Sequence, residues 1–289
     1  MKLKFSIRKR AAFTLVEIAL ALAIIGFALV AIIGVLPFGL NVQKENREET
    51  IVVQDANYFM NALRSGARGL DDLTNYVEAI TNYATVYEVL DNNGVRTTNI
   101  LFGPDTYGYT FASAAINTTS HPENVITNGQ RIIGLLSTPR FLYDAKKPVP
   151  VPARFVSNYV FAYVRALSGP SVEKAPQTNS FVRDLAFRYR LIIEVNPYSD
   201  WNLDWVDFTL PGLSPEEIVI RSNAWRFARG EQANMNEFRL LFRWPVDSKR
   251  VAGSQRQVFR TLVGGVLQQT NHVGLPIWLM QQTEYQAAQ

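Results

Sequence analysis

The sequence predicts an α+β protein in which one long N-terminal helix packs on a head built around an antiparallel β-sheet. Three observations support this fold class. Residues 18–40 form an uncharged, apolar run of 23 residues. Apolar residues then recur with helical spacing as far as residue 63, and much of the remaining chain alternates as strands do. The predicted parts are a leader at 1–12, a membrane-spanning helix half at 13–40, an amphipathic helix half at 41–67 and a β-rich globular head at 68–289.

A strongly basic segment precedes the apolar run. Five Lys or Arg and no acidic residue lie within residues 1–12, whereas the rest of the chain has 24 basic and 25 acidic residues. As a helix the apolar run would extend about 35 Å, which is enough to cross a bilayer. Basic flanks stay on the cytoplasmic side of a membrane. We therefore expect a single-pass membrane protein with a cytoplasmic N-terminus and a head on the outer side.

Ordinary export signals account less well for this segment. A cleaved secretory signal has an apolar stretch of roughly 7–15 residues and then a small-residue cleavage site, whereas this run is longer. A simple membrane anchor fits the length and leaves Glu17 unexplained. A carboxylate near the start of a membrane span costs about 2–3 kcal/mol and usually has a specific partner.

The second helix half follows directly. Residues 41–50 are polar and compatible with a helix, and apolar residues with spacings near three, four and seven come next: Ile51, Val52, Ala56, Phe59, Met60 and Leu63. This spacing predicts an amphipathic helix with one buried face. The segment Ser-Gly-Ala-Arg-Gly at 65–69 is the predicted end of the helix.

The head reads as a series of strands. Segments 85–90 and 95–101 flank Asn93-Gly94, a pair that favours a tight hairpin turn. Further strands are predicted at 107–111, 154–167, 181–195, 237–244 and 256–267. In several of them arginines interrupt apolar residues, which is typical of a sheet with one solvent-facing side. The proline-rich segment 146–152 is predicted to be an extended connector.

The N-terminal segment resembles the class III leader of type IV pilins and type II secretion pseudopilins. The resemblance rests on the basic residues, the small residue Ala12, the sequence Phe-Thr-Leu-Val-Glu at 13–17 and the long apolar run, in that order. It covers about the first 60 residues. The family usually has Gly where this chain has Ala12, and its helices often carry a proline near mid-span, whereas Pro37 lies close to the end of the span.

The resemblance implies roles for three residues. A prepilin peptidase would cut between Ala12 and Phe13 on the cytoplasmic side of the inner membrane, and the new Phe13 amine would be N-methylated. Glu17 would then neutralise the Phe13 ammonium of a neighbouring subunit, which relieves the cost of two buried charges and sets the axial register. The implied partners are the peptidase, other pilins or pseudopilins in the helix bundle, and the inner-membrane assembly platform. The head would be periplasmic and pilin-like.

A calcium site is one further candidate. Asp200, Asp204 and Asp207 lie in one short segment, and carboxylate oxygens are the ligands that Ca²⁺ prefers. Their spacing does not match an EF-hand loop, so a solvated acidic loop is the alternative. No other cofactor is predicted.

Other chemistries are disfavoured. The chain has no Cys, which excludes disulfides and thiolate sites, and its two histidines, His121 and His272, are isolated. No nucleotide-binding or hydrolase motif occurs, so an enzyme is not expected. The near-neutral charge beyond the leader disfavours a nucleic-acid partner, although segment 222–230 is basic and aromatic. Five tryptophans, at 201, 205, 225, 244 and 278, form either core or an exposed binding patch.

The resemblance implies a structural subunit of a type II secretion pseudopilus or a type IV pilus, assembled through its N-terminal helix. The large head favours a minor or specialised subunit. The alternative is a membrane-anchored periplasmic binding module or adhesin that uses the same export route.

Overall fold

The computed structural model describes residues 13–66, 70–89, 96–99, 105–107, 126, 128–143, 153–169, 186–198, 208–247, 249–272, 275–282 and 285. The chain divides into two compact units, Met1–Thr50 and Ile51–Gln289. The predicted α+β class is confirmed, since a long apolar N-terminal helix is followed by an antiparallel sheet.

Helix α1 (Leu15–Ser65) is the longest element. It ends where the sequence predicts, because Gly66 follows with a φ of +67°, in the left-handed region that favours glycine. In the second unit the side chains of Val52, Ala56, Phe59 and Leu63 are buried. Their spacing of four, three and four residues places them on one face of the helix.

Eight of the described strands form one antiparallel sheet. They are β1 (Val77–Val89), β2 (Arg96–Asn99), β3 (Asp105–Tyr107), β4 (Phe141–Tyr143), β5 (Ala153–Arg165), β6 (Arg188–Pro197), β7 (Met235–Val246) and β8 (Ala252–Gly264). The main order is β2-β1-β5-β6-β7-β8, while β3 also pairs with β1 and β4 with β5. A separate two-stranded sheet consists of β9 (Val266–His272) and β10 (Leu275–Gln281).

The large sheet has a buried face and an outer face. Every second residue of β7 is buried, from Phe238 to Trp244, and belongs to the same hydrophobic cluster as Phe59 and Leu63 of α1. The intervening residues, such as Arg239 and Arg243, remain partly exposed on the outer face. The strands alternate because successive side chains point to opposite faces of a sheet.

Several predicted strands are confirmed. Strands β1 and β2 pair with Val89 opposite Arg96, as the hairpin requires, although the turn residues 91–94 lie outside the described residues. Strands β5 and β7 cover the predicted segments 154–167 and 237–244 almost completely. The connector at 146–152 also lies outside the described residues.

Two strand predictions need correction. The segment 256–267 was predicted as one strand, but β8 ends at Gly264 and β9 begins at Val266 in the other sheet. Between them Gly265 has a φ of +119°, which interrupts the strand. The predicted strand 181–195 begins only at Arg188 in the described part of the chain.

Three helical segments in the described part of the chain were not predicted. They are a 3-10 helix at Asp71–Asn75, helix α2 (Gly129–Leu136) and helix α3 (Pro215–Asn234). Asn128 caps α2 by accepting a hydrogen bond from the Arg131 amide at 2.8 Å.

Candidate functional site

The first turn of α1 is organised by a reciprocal cap between Thr14 and Glu17. The Glu17 amide donates to Thr14 Oγ1 at 3.3 Å, and Glu17 Oε2 accepts from the Thr14 amide at 3.2 Å and from its hydroxyl at 3.3 Å. The sequence Thr-x-x-Glu folds in this way because each residue satisfies an amide that the first helical turn leaves unpaired. Glu17 therefore has a local role in starting the helix.

Glu17 also carries an isolated charge. It is the one charged residue between residues 13 and 43. No Lys or Arg of the described chain forms an ion pair with it, and its side chain is exposed. The positive end of the helix dipole favours a carboxylate in the first turn. Phe13, which precedes the capping residue Thr14, is 79% exposed.

The apolar part of α1 is exposed along its whole length. Its large side chains from Leu15 to Val42 are all between 45% and 84% exposed. The helix is long and apolar enough to cross a membrane, and none of its most apolar 18-residue window is buried. Isolated exposed apolar residues are common, but a continuous surface of this length requires an apolar environment. The segment is compatible with a single membrane span.

The remaining predicted site residues are placed only in part. Ala12, His121, Asp200, Asp204 and Asp207 lie outside the described residues. No group of three or more His, Cys, Asp or Glu suited to a metal occurs within the described part of the chain. The calcium site therefore stays a prediction.

Trp244 and the segment 222–230 have partners within the protein, whereas Trp201 and Trp205 lie outside the described residues. Trp244 is buried in the core, so it does not contribute to an exposed tryptophan patch. The segment 222–230 lies within α3, where the Arg229 guanidinium lies 5.1 Å from the centre of the Trp225 ring. Trp225 also contacts Phe208 edge-to-face, with ring centres 5.8 Å apart.

A buried carboxylate in the second unit escaped the sequence analysis. Asp55 of α1 accepts hydrogen bonds from the Leu167 amide at 2.9 Å, the Ser168 amide at 2.8 Å and the Tyr189 hydroxyl at 2.8 Å. Burial raises the pKa of this carboxyl, while these hydrogen bonds act in the opposite direction. Burial and the neighbouring Asp55 also raise the pKa of Tyr189. A signal was present, because Asp55 interrupts the apolar face formed by Val52 and Phe59.

Comparisons with known proteins leave the family open. No protein-family model, no curated protein and no solved structure matches the chain.

Proposed function

We propose that this chain is a prepilin-like structural subunit of a type II secretion pseudopilus or a type IV pilus, assembled through its N-terminal helix. The observation that carries the proposal is the exposed apolar half of α1, with Glu17 as its one charge beside the helix start. The resemblance of the leader supports the same assignment.

The exposed apolar surface of α1 would face two environments in turn. Before assembly the lipid bilayer would surround residues 18–40, with the N-terminus in the cytoplasm and the head in the periplasm. After assembly the same surface would pack against the helices of neighbouring subunits. Small residues such as Ala19, Ala23, Gly26 and Gly34 allow close helix approach in such a bundle.

Glu17 would supply the specificity of assembly. Cleavage between Ala12 and Phe13 by a prepilin peptidase creates an ammonium group four residues before Glu17, and N-methylation keeps its charge. Inside an apolar bundle each charge needs a partner, since an uncompensated buried charge costs several kcal/mol, of order 3–5. Pairing Glu17 with the Phe13 amine of the next subunit satisfies both groups and selects one axial register. The inner-membrane assembly platform would deliver the subunits.

The head favours a minor or specialised position. The second unit comprises Ile51–Gln289 and contains an eight-stranded sheet among its described strands. A head of this size is large for a subunit that repeats along a whole filament. Retention of Glu17 fits a subunit that docks beneath a neighbour.

Mass spectrometry of the N-terminus tests this proposal. The protein would be purified from membranes of cells that contain its own peptidase, and the intact mass and N-terminal peptide would be measured. We expect a chain that begins at N-methylated Phe13. A chain that still begins at Met1, or one cut after the apolar run, would contradict the assignment and remove the proposed role of Glu17.

The second candidate is a membrane-anchored binding module or adhesin. It is supported by Tyr83 and Tyr159 on the outer face of the sheet, which are 43% and 40% exposed. The Arg190 guanidinium lies 5.9 Å from the centre of the Tyr159 ring. Both candidates share the processed N-terminus, and incorporation into sheared filaments distinguishes them, since a binding module would remain in the membrane fraction.

A further inference from the structure

Strand β8 forms a long free edge of the large sheet. It spans 13 residues and pairs with β7 alone among the described strands. Typical strands have 5–6 residues, and natural edges are usually shortened, bulged, covered or charged. Of these features β8 has charge, on the exposed Arg256 and Arg260, which disfavours pairing with a neutral or basic strand and leaves pairing with an acidic strand open. No proline occurs within β8, and its register with β7 is regular from Met235 to Trp244. The edge is therefore a continuous template for another strand.

The outward backbone groups of β8 belong to its even-numbered residues. The Gly265 amide donates to the Asn234 carbonyl at 2.7 Å, in the same register that pairs Met235 with Gly264. Hydrogen-bonded pairs alternate along an antiparallel ladder, so the odd-numbered residues of β8 bond to β7. Residues 256, 258, 260 and 262 then direct their amides and carbonyls away from β7. Their side chains are exposed on the outer face of the sheet.

A row of three arginines ends at this edge. Arg190 of β6 lies opposite Arg243 of β7, which lies opposite Arg256 of β8. Residues directly opposite have Cβ atoms about 4.5–5.5 Å apart, and like charges in this position are destabilising. No carboxylate of the described chain forms an ion pair with any of the three. Arg190 instead lies over the Phe161 ring, at 3.9 Å from its centre.

In the neighbouring row, Glu194, Arg239 and Arg260 lie opposite one another, and carboxylates compensate the arginine charges. Arg239 of β7 contacts Glu194 Oε2 at 3.1 Å, and Arg260 of β8 contacts Glu237 Oε1 at 3.8 Å. The second contact is on the surface, where an ion pair contributes little. Val258 lies between Arg256 and Arg260 and is 40% exposed, and Leu262, two residues after Arg260, is 46% exposed. The edge thus presents cation, apolar, cation, apolar at alternate residues.

We propose that the free edge of β8 binds an extended acidic segment of a partner protein as an additional antiparallel strand. Acidic residues of that segment would lie opposite Arg256 and Arg260, and apolar residues opposite Val258 and Leu262. Backbone hydrogen bonds to the outward amides and carbonyls supply affinity, and the alternating side chains supply specificity. The carboxylate opposite Arg256 compensates the arginine row. The proposal does not depend on filament assembly.

A second copy of β8 offers no acidic partner for this edge, because β8 contains two arginines and no acidic residue. In the antiparallel register centred on Val258, Arg256 of each copy would lie opposite Arg260 of the other. Two like-charged pairs would then face each other across the new ladder, which is destabilising. An acidic strand converts both contacts into ion pairs.

The test uses the full-length protein in detergent micelles and a fluorescent peptide, Thr-Val-Thr-Glu-Thr-Val-Thr-Glu-Thr, whose Val and Glu residues share one face. We expect saturable binding by fluorescence anisotropy, and no binding of the peptide with Lys in place of both Glu. N-methylation of the two Glu amides should weaken binding at least about tenfold, because these amides would face β8. N-methylation of the central Thr amides, which would point away, should weaken it far less.

Protein variants provide the matched comparison. Val258→Pro removes one outward amide without affecting the ladder to β7, and should weaken binding much more than Val258→Thr. Arg256→Glu should reduce binding of the acidic peptide and increase binding of the Lys peptide. The proposal is overturned if the acidic peptide does not bind, if N-methylation at Glu and at Thr has equal effects, or if the protein is a dimer that the peptide does not dissociate. If Val258→Pro fails to fold, the binding of the acidic, Lys and N-methylated peptides to the unaltered protein decides the test.

Discussion

Glu17 has one observed role and one proposed role, and the two have different chemical requirements. Its side-chain oxygen accepts hydrogen bonds from Thr14 at the helix start. This role requires a hydrogen-bond acceptor but does not require a negative charge. The proposed pairing with the Phe13 amine of a neighbouring subunit requires the negative charge. A substitution that keeps the acceptor and removes the charge therefore separates the cap from the filament contact.

We expect Glu17→Gln and Glu17→Ala to be processed normally and to be lost from sheared filaments. Glutamine can form the same reciprocal cap as glutamate, so Glu17→Gln keeps the cap at the helix start and Glu17→Ala loses it. Thr14→Val is the matched control. It removes the cap hydroxyl, at a cost of about 1 kcal/mol to the helix, and keeps the charge, so it should still assemble. Normal incorporation of Glu17→Gln would show that the charge is dispensable and would contradict the proposed register.

Asp55 makes stability depend on pH in a defined direction. Because burial raises its pKa above the ordinary value of 3.8, the unfolded chain releases the Asp55 proton at a lower pH than the folded protein. The contribution of Asp55 to the free energy of unfolding is therefore full below pH 3.8 and is lost as the pH rises through the raised pKa. Asp55→Asn removes this titration.

Urea unfolding between about pH 3 and 7 measures the effect. The free energy of unfolding of the wild type, relative to Asp55→Asn, should fall across this range. Tyr189→Phe is the companion variant, since it removes a hydrogen bond that lowers the pKa of Asp55. It should cost about 1–3 kcal/mol, and more at neutral than at acidic pH. A difference that is flat, or that rises with pH, would rule out a raised pKa.

At the scale of elements, helix α1 was predictable because its signals are local. An uncharged run, an amphipathic stretch and Ser65-Gly66 occur in order along the chain, and each acts through its immediate neighbours. The break after β8 was also local, since Gly264 and Gly265 are adjacent. It was missed because Leu262, Val263, Val266 and Leu267 read as one apolar strand. A Cβ at Gly265 would lie 2.3 Å from the Gln281 carbonyl oxygen, so the break requires glycine.

Helix α3 shows why periodicity alone is insufficient. Its one buried residue is Ala228, so it has no apolar stripe that could reveal a helix. The N-terminal signal was nevertheless present. Ser214 and Glu217 form a capping box, with the Glu217 amide 3.2 Å from Ser214 Oγ and the Ser214 amide 2.9 Å from Glu217 Oε2. Pro215 occupies the first turn, where proline is favoured.

The side-chain clusters of the sheet depend on contacts that are distant in sequence. Asp55 bonds to residues 112, 113 and 134 positions away. The arginine row depends on the register of β6, β7 and β8, and a shift of one residue would move each arginine to the other face. The individual strands can be predicted from a single sequence, but their pairing and register cannot. The members of the N-terminal candidate, in contrast, lie within residues 12–17, so the sequence alone brings them together, and their role stays a prediction.

At the scale of the whole molecule, the two units differ in what they need to remain ordered. The hydrophobic core of the described chain begins at Ile51 and continues through the sheet, so the second unit has apolar contacts of its own. The first unit exposes large apolar side chains from Leu15 to Val42 and needs lipid, detergent or neighbouring helices. Removing the apolar part of the first unit should therefore remove the need for detergent and leave the folding of the second unit intact.

We expect a chain that lacks residues 1–40 to be a soluble monomer that unfolds cooperatively in plain buffer. The deletion removes the exposed apolar segment, which is compatible with a membrane span, and keeps every buried core residue of the described chain. Its Tm should match the head transition of the full chain, when both are measured in the same detergent, within about 2–4 °C, the shift that 1 kcal/mol produces in a domain of roughly 150–250 residues. A chain that lacks only residues 1–12 is the matched control and should still require detergent. If the longer deletion is unfolded by circular dichroism, the head depends on the apolar half of α1, and that half cannot be a separate assembly element.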